Sequence, residues 1–375
     1  MSIYLDNSAT TKPCDKAIKK ALYMMNENFG NPSSLHMCGY NAKKELESSR
    51  NIIADFLNCD SKEVFFTSSG TIANNTAILG TARSKKREGN KIITTELEHP
   101  AVRKHFELLE ELGFEAVYLK PNKNGSINLD ELSNAVDSNT ILVSVMAVNN
   151  EVGSIQEIEK IKPIIKAKGS KALFHCDAVQ AFGKIPLKPK KMGIDLMSMS
   201  AHKIHGLKGA GALFINSNIK IKPSVLGGGQ ENGMVSGTEP MPNICAFAEA
   251  VKEIGNIEKN SQNVLKVKEY FLNKIKQIDN VYINSPENAI PYIINISVEG
   301  VPSQVMLNSL SAEGIYVSAG SACSKGHRSD VLSAMGVEPK LIDSAIRISL
   351  SRYSTIQEMD MLYNGILNTI KRVRR

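Results

Sequence analysis

Cys323 lies among very small residues, a setting that suits a reactive thiol. The stretch 317–326 reads Val-Ser-Ala-Gly-Ser-Ala-Cys-Ser-Lys-Gly, which predicts an accessible loop. Exposure suits a nucleophile, and Lys325 and His327 would favour the thiolate. Cys176 is the alternative, but it follows an apolar run and is expected in the core. Cys323 is therefore the candidate nucleophile.

Two lysines follow the predicted strand Asp195–Met199, in the stretch Ser-Ala-His-Lys-Ile-His-Gly-Leu-Lys that begins at Ser200. An amine placed directly after a buried strand, among small and hydroxyl residues, can be desolvated and activated to form a Schiff base. Lys203 and Lys208 both satisfy this description. The spacing does not choose between them.

Two polar segments each allow two interpretations. Asp177 ends an apolar run, where it could hold the nitrogen of a pyridine-type cofactor protonated or cap a helix. The segment Thr67–Thr71 reads Thr-Ser-Ser-Gly-Thr between a predicted strand and a helix. It could bind a phosphate through its hydroxyls and free N–H groups or serve as an ordinary helix cap.

Short apolar runs alternate with amphipathic stretches from about residue 60 to 215, which predicts an α/β domain with a mainly parallel sheet. The predicted strands are Val64–Phe66, Lys91–Thr94, Ala116–Leu119, Ile141–Met146, Ala172–Cys176, Asp195–Met199 and Ala212–Ile215. The predicted helices include Thr71–Ala82, Pro100–Leu112, Leu129–Val136 and Glu157–Lys166. Polar residues follow several of these strands, so they are expected to line one crevice at the carboxyl edge of the sheet.

The pattern changes after about residue 240. Apolar residues at helical spacing over 244–254 and 264–278 predict long helices. Strand-like Tyr292–Val298 and Ala345–Leu350 then alternate with helical Gln304–Ala312 and Ile356–Lys371. We therefore predict a large α/β domain over residues 15–250 and a smaller α+β domain formed by 1–14 and 251–375.

Composition narrows the class of protein. The chain has 375 residues, 42% of them hydrophobic and 22% charged, with no apolar stretch long enough to span a bilayer. Its N-terminus lacks the features of a secretory signal, so a cytosolic location is expected. The six cysteines form no C-x-x-C motif, so no metal site is expected. The net charge of +7 is spread along the chain, which favours solvated faces over direct nucleic-acid binding.

Ordered motifs over nearly the whole chain resemble the cysteine desulfurase family, which belongs to the class-V aminotransferase group of fold-type-I pyridoxal-phosphate enzymes. The motifs are Tyr4–Thr11, Phe29–His36, Glu98–Pro100, Asn149–Gly153, Gly227–Glu231, Ser236–Thr238, Gly320–Ser324 and Arg347–Tyr353. The resemblance implies a fold-type-I α/β architecture and pyridoxal 5′-phosphate as the cofactor. It also implies a homodimer.

The resemblance also implies roles for individual residues. It assigns Lys203, rather than Lys208, to the Schiff base with the cofactor. Cys323 would accept the sulfur, and Arg347 would bind the substrate carboxylate, which suits its planar bidentate donor group. The cofactor would be contacted by the residues Gly70, Thr71, His99, Asn150, Asp177, Gln180, Ser200 and His202, and by Thr238 of the other subunit.

The implied reaction removes sulfur from L-cysteine, leaving L-alanine and a persulfide on Cys323. Lys203 would take the α-proton, and His99 would shuttle protons. A protein acceptor, either an iron–sulfur scaffold or a tRNA-thiolation enzyme, would then receive the sulfur. The alternatives are a selenocysteine lyase and a catalytically idle assembly scaffold.

The chain departs from the family pattern at four positions. Ile72 stands where glutamate is usual, Asn232 and Val235 where arginines are usual, and Asp330 in place of a histidine. We expect a lost polar contact at Ile72, a changed charge balance near the dimer edge and an altered partner surface.

Overall fold

The computed structural model describes residues 2–319 and 328–373. Its strands are β1 (Ile3–Tyr4), β2 (Val64–Thr67), β3 (Lys91–Thr95), β4 (Glu115–Leu119), β5 (Thr140–Ser144), β6 (Leu173–Asp177), β7 (Leu196–Ser200), β8 (Gly211–Ile215), β9 (Val281–Ile283), β10 (Ile293–Val298), β11 (Ile315–Tyr316) and β12 (Ala345–Ser349).

Helices account for much of the remaining described chain. The α-helices are α1 (Asp15–Asn26), α2 (Met37–Leu57), α3 (Gly70–Lys85), α4 (Pro100–Glu111), α5 (Leu129–Ala135), α6 (Ile161–Ala167), α7 (Met241–Lys252), α8 (Ile257–Ile275), α9 (Ser303–Ala312), α10 (Asp330–Ala334), α11 (Pro339–Ile342) and α12 (Ile356–Val373).

Seven strands form the main sheet, in the order β2-β8-β7-β6-β5-β3-β4. Strands β7, β6, β5, β3 and β4 run parallel, whereas β8 is antiparallel to both of its neighbours. Every residue of β5 to β8 is buried. Burial on both faces is typical of a parallel sheet covered by helices, and it explains why these strands read as continuous apolar runs.

Helix α3 begins within the segment Thr67–Thr71, for which the sequence allowed either a phosphate site or a helix cap. It packs against β5, β6, β7 and β8 and buries small residues such as Ala73 and Ala77. Gly70, at its start, lies so close to the sheet that an added Cβ would be 2.7 Å from Val179 Cγ2. A side chain at Gly70 would therefore push the helix start away from the strand ends.

A second, antiparallel sheet has the order β12-β10-β9, and β1 pairs in parallel with β11. Helix α12 packs against both α8 and α9. The N-terminal segment that follows β1 crosses back to the main sheet, where Thr11 N–H donates to the carbonyl of His202. Residues near both ends of the chain therefore meet close to the ends of the main strands.

The α/β fold class and its mainly parallel sheet are confirmed. Strand β6 includes both Cys176 and Asp177, whose side chains therefore point to opposite faces of the sheet. Cys176 is fully buried in the core, as expected. The predicted helix Glu157–Lys166 is instead a short 3-10 turn, Ile158–Lys160, followed by α6.

The domain limits at 14/15 and 250/251 stay a prediction. In the described part of the chain, no helix is both long and apolar enough to cross a membrane.

Candidate active site

A cavity of about 250 Å³ opens at the carboxyl ends of the parallel strands. Its lining includes these predicted site residues: Gly70, Thr71, His99, Asn150, Asp177, Gln180, Ser200, His202, Lys203 and Arg347. Thr238 is exposed and is not among the lining residues. Cys323 lies outside the described residues. The structure therefore brings ten of the predicted residues to one place, as expected for polar residues that follow neighbouring parallel strands.

Lys203 is held at the cavity by the N-terminal segment. It ends a short 3-10 turn directly after β7, and its Nζ donates to the carbonyl of Ser8 and, at 2.8 Å, to that of Ala9. Lys208 is exposed and does not line the cavity. Of the two lysines that the spacing left open, only Lys203 reaches the cavity.

Asp177 is buried, and each of its oxygens accepts a hydrogen bond. Oδ2 accepts from Asn74 Nδ2 at 2.8 Å, and Oδ1 accepts from the backbone N–H of Val179 at 2.9 Å. Asn74 is a cavity residue that the sequence analysis missed. It lies one helical turn after Gly70 on α3, so the helical period could have placed it on the same face.

The start of α3 supplies the anion-binding groups of the cavity. Ser69 caps the helix, its Oγ accepting from Ile72 N–H at 3.2 Å, so the helix-cap interpretation of this segment holds as well. The N–H groups of Gly70 and Thr71, in the first turn, have no partner within the helix. Ser200 Oγ is buried without a hydrogen-bond partner in the described chain. These donors and the helix dipole suit a phosphate group.

His99 is the N-cap of α4, and the capping hydrogen bond fixes the tautomer of its ring. Nδ1 accepts from the N–H of Ala101 at 3.1 Å, so Nε2 carries the proton in the neutral ring. Burial lowers the pKa of His99, Asp177 opposes the shift and Lys203 adds to it. A neutral imidazole beside the cavity can stack on a ring and exchange a proton through Nε2.

Arg347 is 2% exposed and comes from β12. Its Nη1 donates to the carbonyl of Asn150 at 3.0 Å, and its Nη2 donates to Asp6 Oδ1 at 2.8 Å. Its Nε has no partner in the described chain. No role for Asp6 was predicted from the sequence. Its carboxylate nevertheless offsets the charge of the buried Arg347 guanidinium and orients that group toward the cavity.

The carboxyl group of Glu98 is fully buried directly before His99. Its Oε1 accepts from Met146 N–H at 2.7 Å and from Thr95 Oγ1 at 3.1 Å. Burial, together with the charge of Asp177, raises the pKa of Glu98 to about 8. At neutral pH Glu98 is therefore mainly protonated, which limits the negative charge at this side of the cavity.

Comparison with known proteins decides the family. The model of the family described as aminotransferase class-V matches residues 3–362. The chain belongs to the class-V aminotransferase family. This class-V aminotransferase is 38% identical to a cysteine desulfurase, IscS, of Methanosarcina thermophila over 377 residues, covering 100% of this chain and 93% of the relative. The resemblance stated from the motifs is confirmed.

Solved structures agree. A structure described as a NifS-like protein superimposes with a TM-score of 0.95 at 35% identity, covering 99% of this chain and 100% of that one. SspA, solved in complex with cysteine, gives a TM-score of 0.84 at 31% identity and covers 95% of this chain and 100% of its own.

Class-V aminotransferases depend on pyridoxal 5′-phosphate, and the cavity fits this group. A phosphate would meet the start of α3 and the unsatisfied hydroxyl of Ser200. A pyridine nitrogen would need a buried carboxylate, which Asp177 provides, and the aldehyde would need an amine, which Lys203 provides. The residues that line the cavity therefore fit this cofactor.

The departures from the family pattern lie outside the cavity lining. Asp330 pairs with Arg103 Nη1 at 2.8 Å on the surface, and Asn232 is exposed with a φ of 54°. Val235 forms an isolated bridge with Val225, and Ile72 is half-buried in the first turn of α3. These substitutions leave the cavity residues in place.

Proposed function

We propose that this class-V aminotransferase is a cysteine desulfurase, which transfers the sulfur of L-cysteine to Cys323 and releases L-alanine. One observation carries the proposal. A chain that matches a named cysteine desulfurase over its whole length has Lys203, Asp177 and Arg347 in one cavity. These are an amine for a Schiff base, a carboxylate for a pyridine nitrogen and a guanidinium for a substrate carboxylate.

The cofactor would be held from three sides. Gly70, Thr71, Ser200 and His202 would bind the phosphate, with Thr238 of a second subunit. Asp177, fixed by Asn74, would accept from the pyridine N–H. The remaining contacts would come from His99 on the ring face and from the side chains of Asn150 and Gln180 on the side of the ring's phenolic oxygen. When bound, pyridoxal phosphate supplies an aldehyde that joins to an amine and a ring that withdraws electrons from the substrate's α-carbon.

The chain's own residues would bind the substrate and move its protons. Arg347 would hold the carboxylate of cysteine through its guanidinium, together with Asn150. Lys203 Nζ would take the α-proton, because its amine lies in the same cavity as Arg347 and can act there as a general base. His99 can return a proton from Nε2.

Sulfur transfer would be a displacement at the sulfur of the bound cysteine. The Cys323 thiolate attacks this sulfur, so that an S–S bond forms while the C–S bond breaks. The electron pair of the broken C–S bond goes to the β-carbon of the bound cysteine. That carbon is then protonated, and the product leaves as alanine. A thiolate is required for this step, since the thiol is a poor nucleophile.

The direct test is product analysis. The protein loaded with pyridoxal phosphate and given L-cysteine should release L-alanine and form persulfide sulfur in equal amounts. A thiol reductant should then liberate that sulfur as sulfide. Release of pyruvate and ammonia in place of alanine would contradict the proposal. Activity with selenocysteine but not with cysteine would instead favour the lyase alternative. The acceptor, an iron–sulfur scaffold or a tRNA-thiolation enzyme, and the cytosolic location stay predictions.

We also propose that the chain works as a homodimer. Helix α1 buries one apolar face but exposes a second one at helical spacing, formed by Ile18, Leu22 and Met25, which are 37 to 51% exposed. Phe29 and Leu35, farther along the chain, are 73% and 104% exposed. Large apolar side chains exposed together on one helix face are typical of an interface.

The double substitution Leu22→Glu and Leu35→Glu should convert the dimer into a monomer, because charges would replace apolar contacts at the interface. Sedimentation velocity at micromolar protein should show two chains per particle for the wild type and one for the variant. Leu108→Glu with Leu112→Glu, two exposed positions at the end of α4, is the matched control and should stay dimeric. A wild-type monomer with full cofactor occupancy would refute the proposed dimer.

A further inference from the structure

A buried lysine beside the cavity has no role in the reaction proposed above. Lys184 lies in the turn after β6 and is 7% exposed. Within residues 2–319 and 328–373 it forms no ion pair; its amine donates to Gln180 Oε1 at 3.2 Å and lies 5.8 Å from the centre of the Tyr292 ring. Burying an amine with a single neutral partner costs free energy. Its presence at this position therefore needs a reason.

The charges around Lys184 are positive. Lys203 and Arg347 act on it from the cavity, and a small space behind the cavity is lined by Lys184, Lys203, His205 and Arg352, with no carboxylate among its described lining residues. Burial, together with the charges of Lys203 and Arg347, lowers the pKa of Lys184 to about 7. Both protonation states of the amine have N–H groups that can donate a hydrogen bond.

A chain of hydrogen bonds links Lys184 to the Schiff-base lysine. Gln180 accepts from Lys184 through Oε1 and donates from Nε2 to the carbonyl of Ser8 at 3.0 Å. The same carbonyl accepts from Lys203 Nζ. The protonated form of Lys184 can only donate and the carbonyl of Ser8 can only accept, so both favour an amide whose oxygen faces Lys184 and whose N–H groups face Ser8. Lys184 therefore constrains the oxygen end of the amide, as the carbonyl of Ser8 constrains its nitrogen end.

We propose that Lys184 is a positioning residue that fixes the amide of Gln180 with its N–H groups toward Ser8 and the cavity. This inference rests on the proposed cofactor site, in which Gln180 lies on the side of the phenolic oxygen. A fixed N–H donor there would stabilise negative charge on that oxygen and so would lower the pKa of the Schiff base that Lys203 would form with the cofactor.

The test is a pH titration of the visible absorption band of the loaded enzyme. Lys184→Met should keep the bound cofactor but raise the midpoint of the Schiff-base transition by about one pH unit, the size expected for one lost hydrogen bond. The loss of a nearby positive charge shifts the midpoint in the same direction. In the Gln180→Ala background, Lys184→Met should raise the midpoint by less than about half as much as it does in the wild type. The amide that Lys184 would position is absent there.

Further variants separate positioning from stability. Lys184→Arg keeps a side chain that only donates and should restore most of the wild-type midpoint. Lys184→Gln offers an acceptor as well as a donor, so it should raise the midpoint by about one pH unit, as expected for Lys184→Met. This variant keeps the test possible if Lys184→Met fails to fold. Lys268→Met is the matched control: Lys268 is another buried lysine, but it donates to the carbonyls of Ala289 and Ile290 and does not line the cavity.

The outcomes distinguish the two proposals. A wild-type protein with no band dependent on Lys203 would refute the cofactor site itself, and the role of Lys184 with it. A normal wild-type band together with an unchanged midpoint in both Lys184→Met and Lys184→Gln would refute the positioning role alone. So would a shift that persists in full in the Gln180→Ala background, because the effect would then be one of charge.

Discussion

Lys203→Ala is expected to abolish the covalent attachment of pyridoxal phosphate, whereas Lys208→Ala should leave it intact. Lys203 lines the cavity and donates to the carbonyls of Ser8 and Ala9, while Lys208 is exposed and does not line it. A Schiff base needs the amine at the cofactor's aldehyde. The visible band of the Lys203 variant should therefore disappear.

Borohydride reduction of the loaded protein, followed by peptide mapping, measures this directly. The label should be found on the peptide that contains Lys203 in the wild type and in Lys208→Ala, and on no peptide in Lys203→Ala. Far-ultraviolet circular dichroism should be the same for all three proteins, because Lys203 is not part of the apolar core. Label on Lys208 would overturn the assignment.

Cys323→Ser is expected to separate cofactor chemistry from sulfur extraction. The fold, the cofactor colour and the spectral response to cysteine should be unchanged, because none of them uses the thiol. Persulfide formation and cysteine-dependent alanine release should fall by orders of magnitude, because a hydroxyl without an adjacent base is a poor nucleophile. Mass spectrometry of the persulfide and an alanine assay give the two measurements.

Three cysteines provide controls for the loss of a thiol. Cys38 is exposed, so Cys38→Ser matches the removal of an accessible thiol. Cys176 and Cys245 are buried, and burial raises the pKa of both thiols, that of Cys245 to about 11. Cys176→Ser and Cys245→Ser therefore test for general damage. Undiminished sulfide release by Cys323→Ser would rule out the persulfide route and point to a lyase that does not need this residue.

The helices α1 and α2 show where local patterns are insufficient. Helix α1 carries apolar residues at helical spacing, but only part of this stripe is buried: Ile18, Leu22 and Met25 are exposed. Helix α2 buries Gly39, Ser49 and Arg50 on its inner side, and Arg50 is neutralised by Glu231 at 2.6 Å. Neither helix was predicted from the sequence, and in α2 the burial of small and polar residues hides the inner face from an apolar pattern.

The sequence by itself determined the seven strands of the main sheet and the helices between several of them, because apolar runs and helical spacing are local signals. It also indicated that polar side chains would meet beyond the strand ends, since parallel strands share one carboxyl edge. The motif resemblance supplied the family. Its assignment of roles to single residues stays a prediction that the two substitutions above test.

Only the tertiary structure decided which groups support these residues. The bond from Asn74 to Asp177 joins positions 103 apart, and that from Arg347 to Asp6 joins positions 341 apart. No local pattern encodes such pairs, because they depend on how the N-terminal segment and β12 are packed against the main sheet. The same packing places Lys203 at the cavity and leaves Lys208 in solvent, although both follow the same strand.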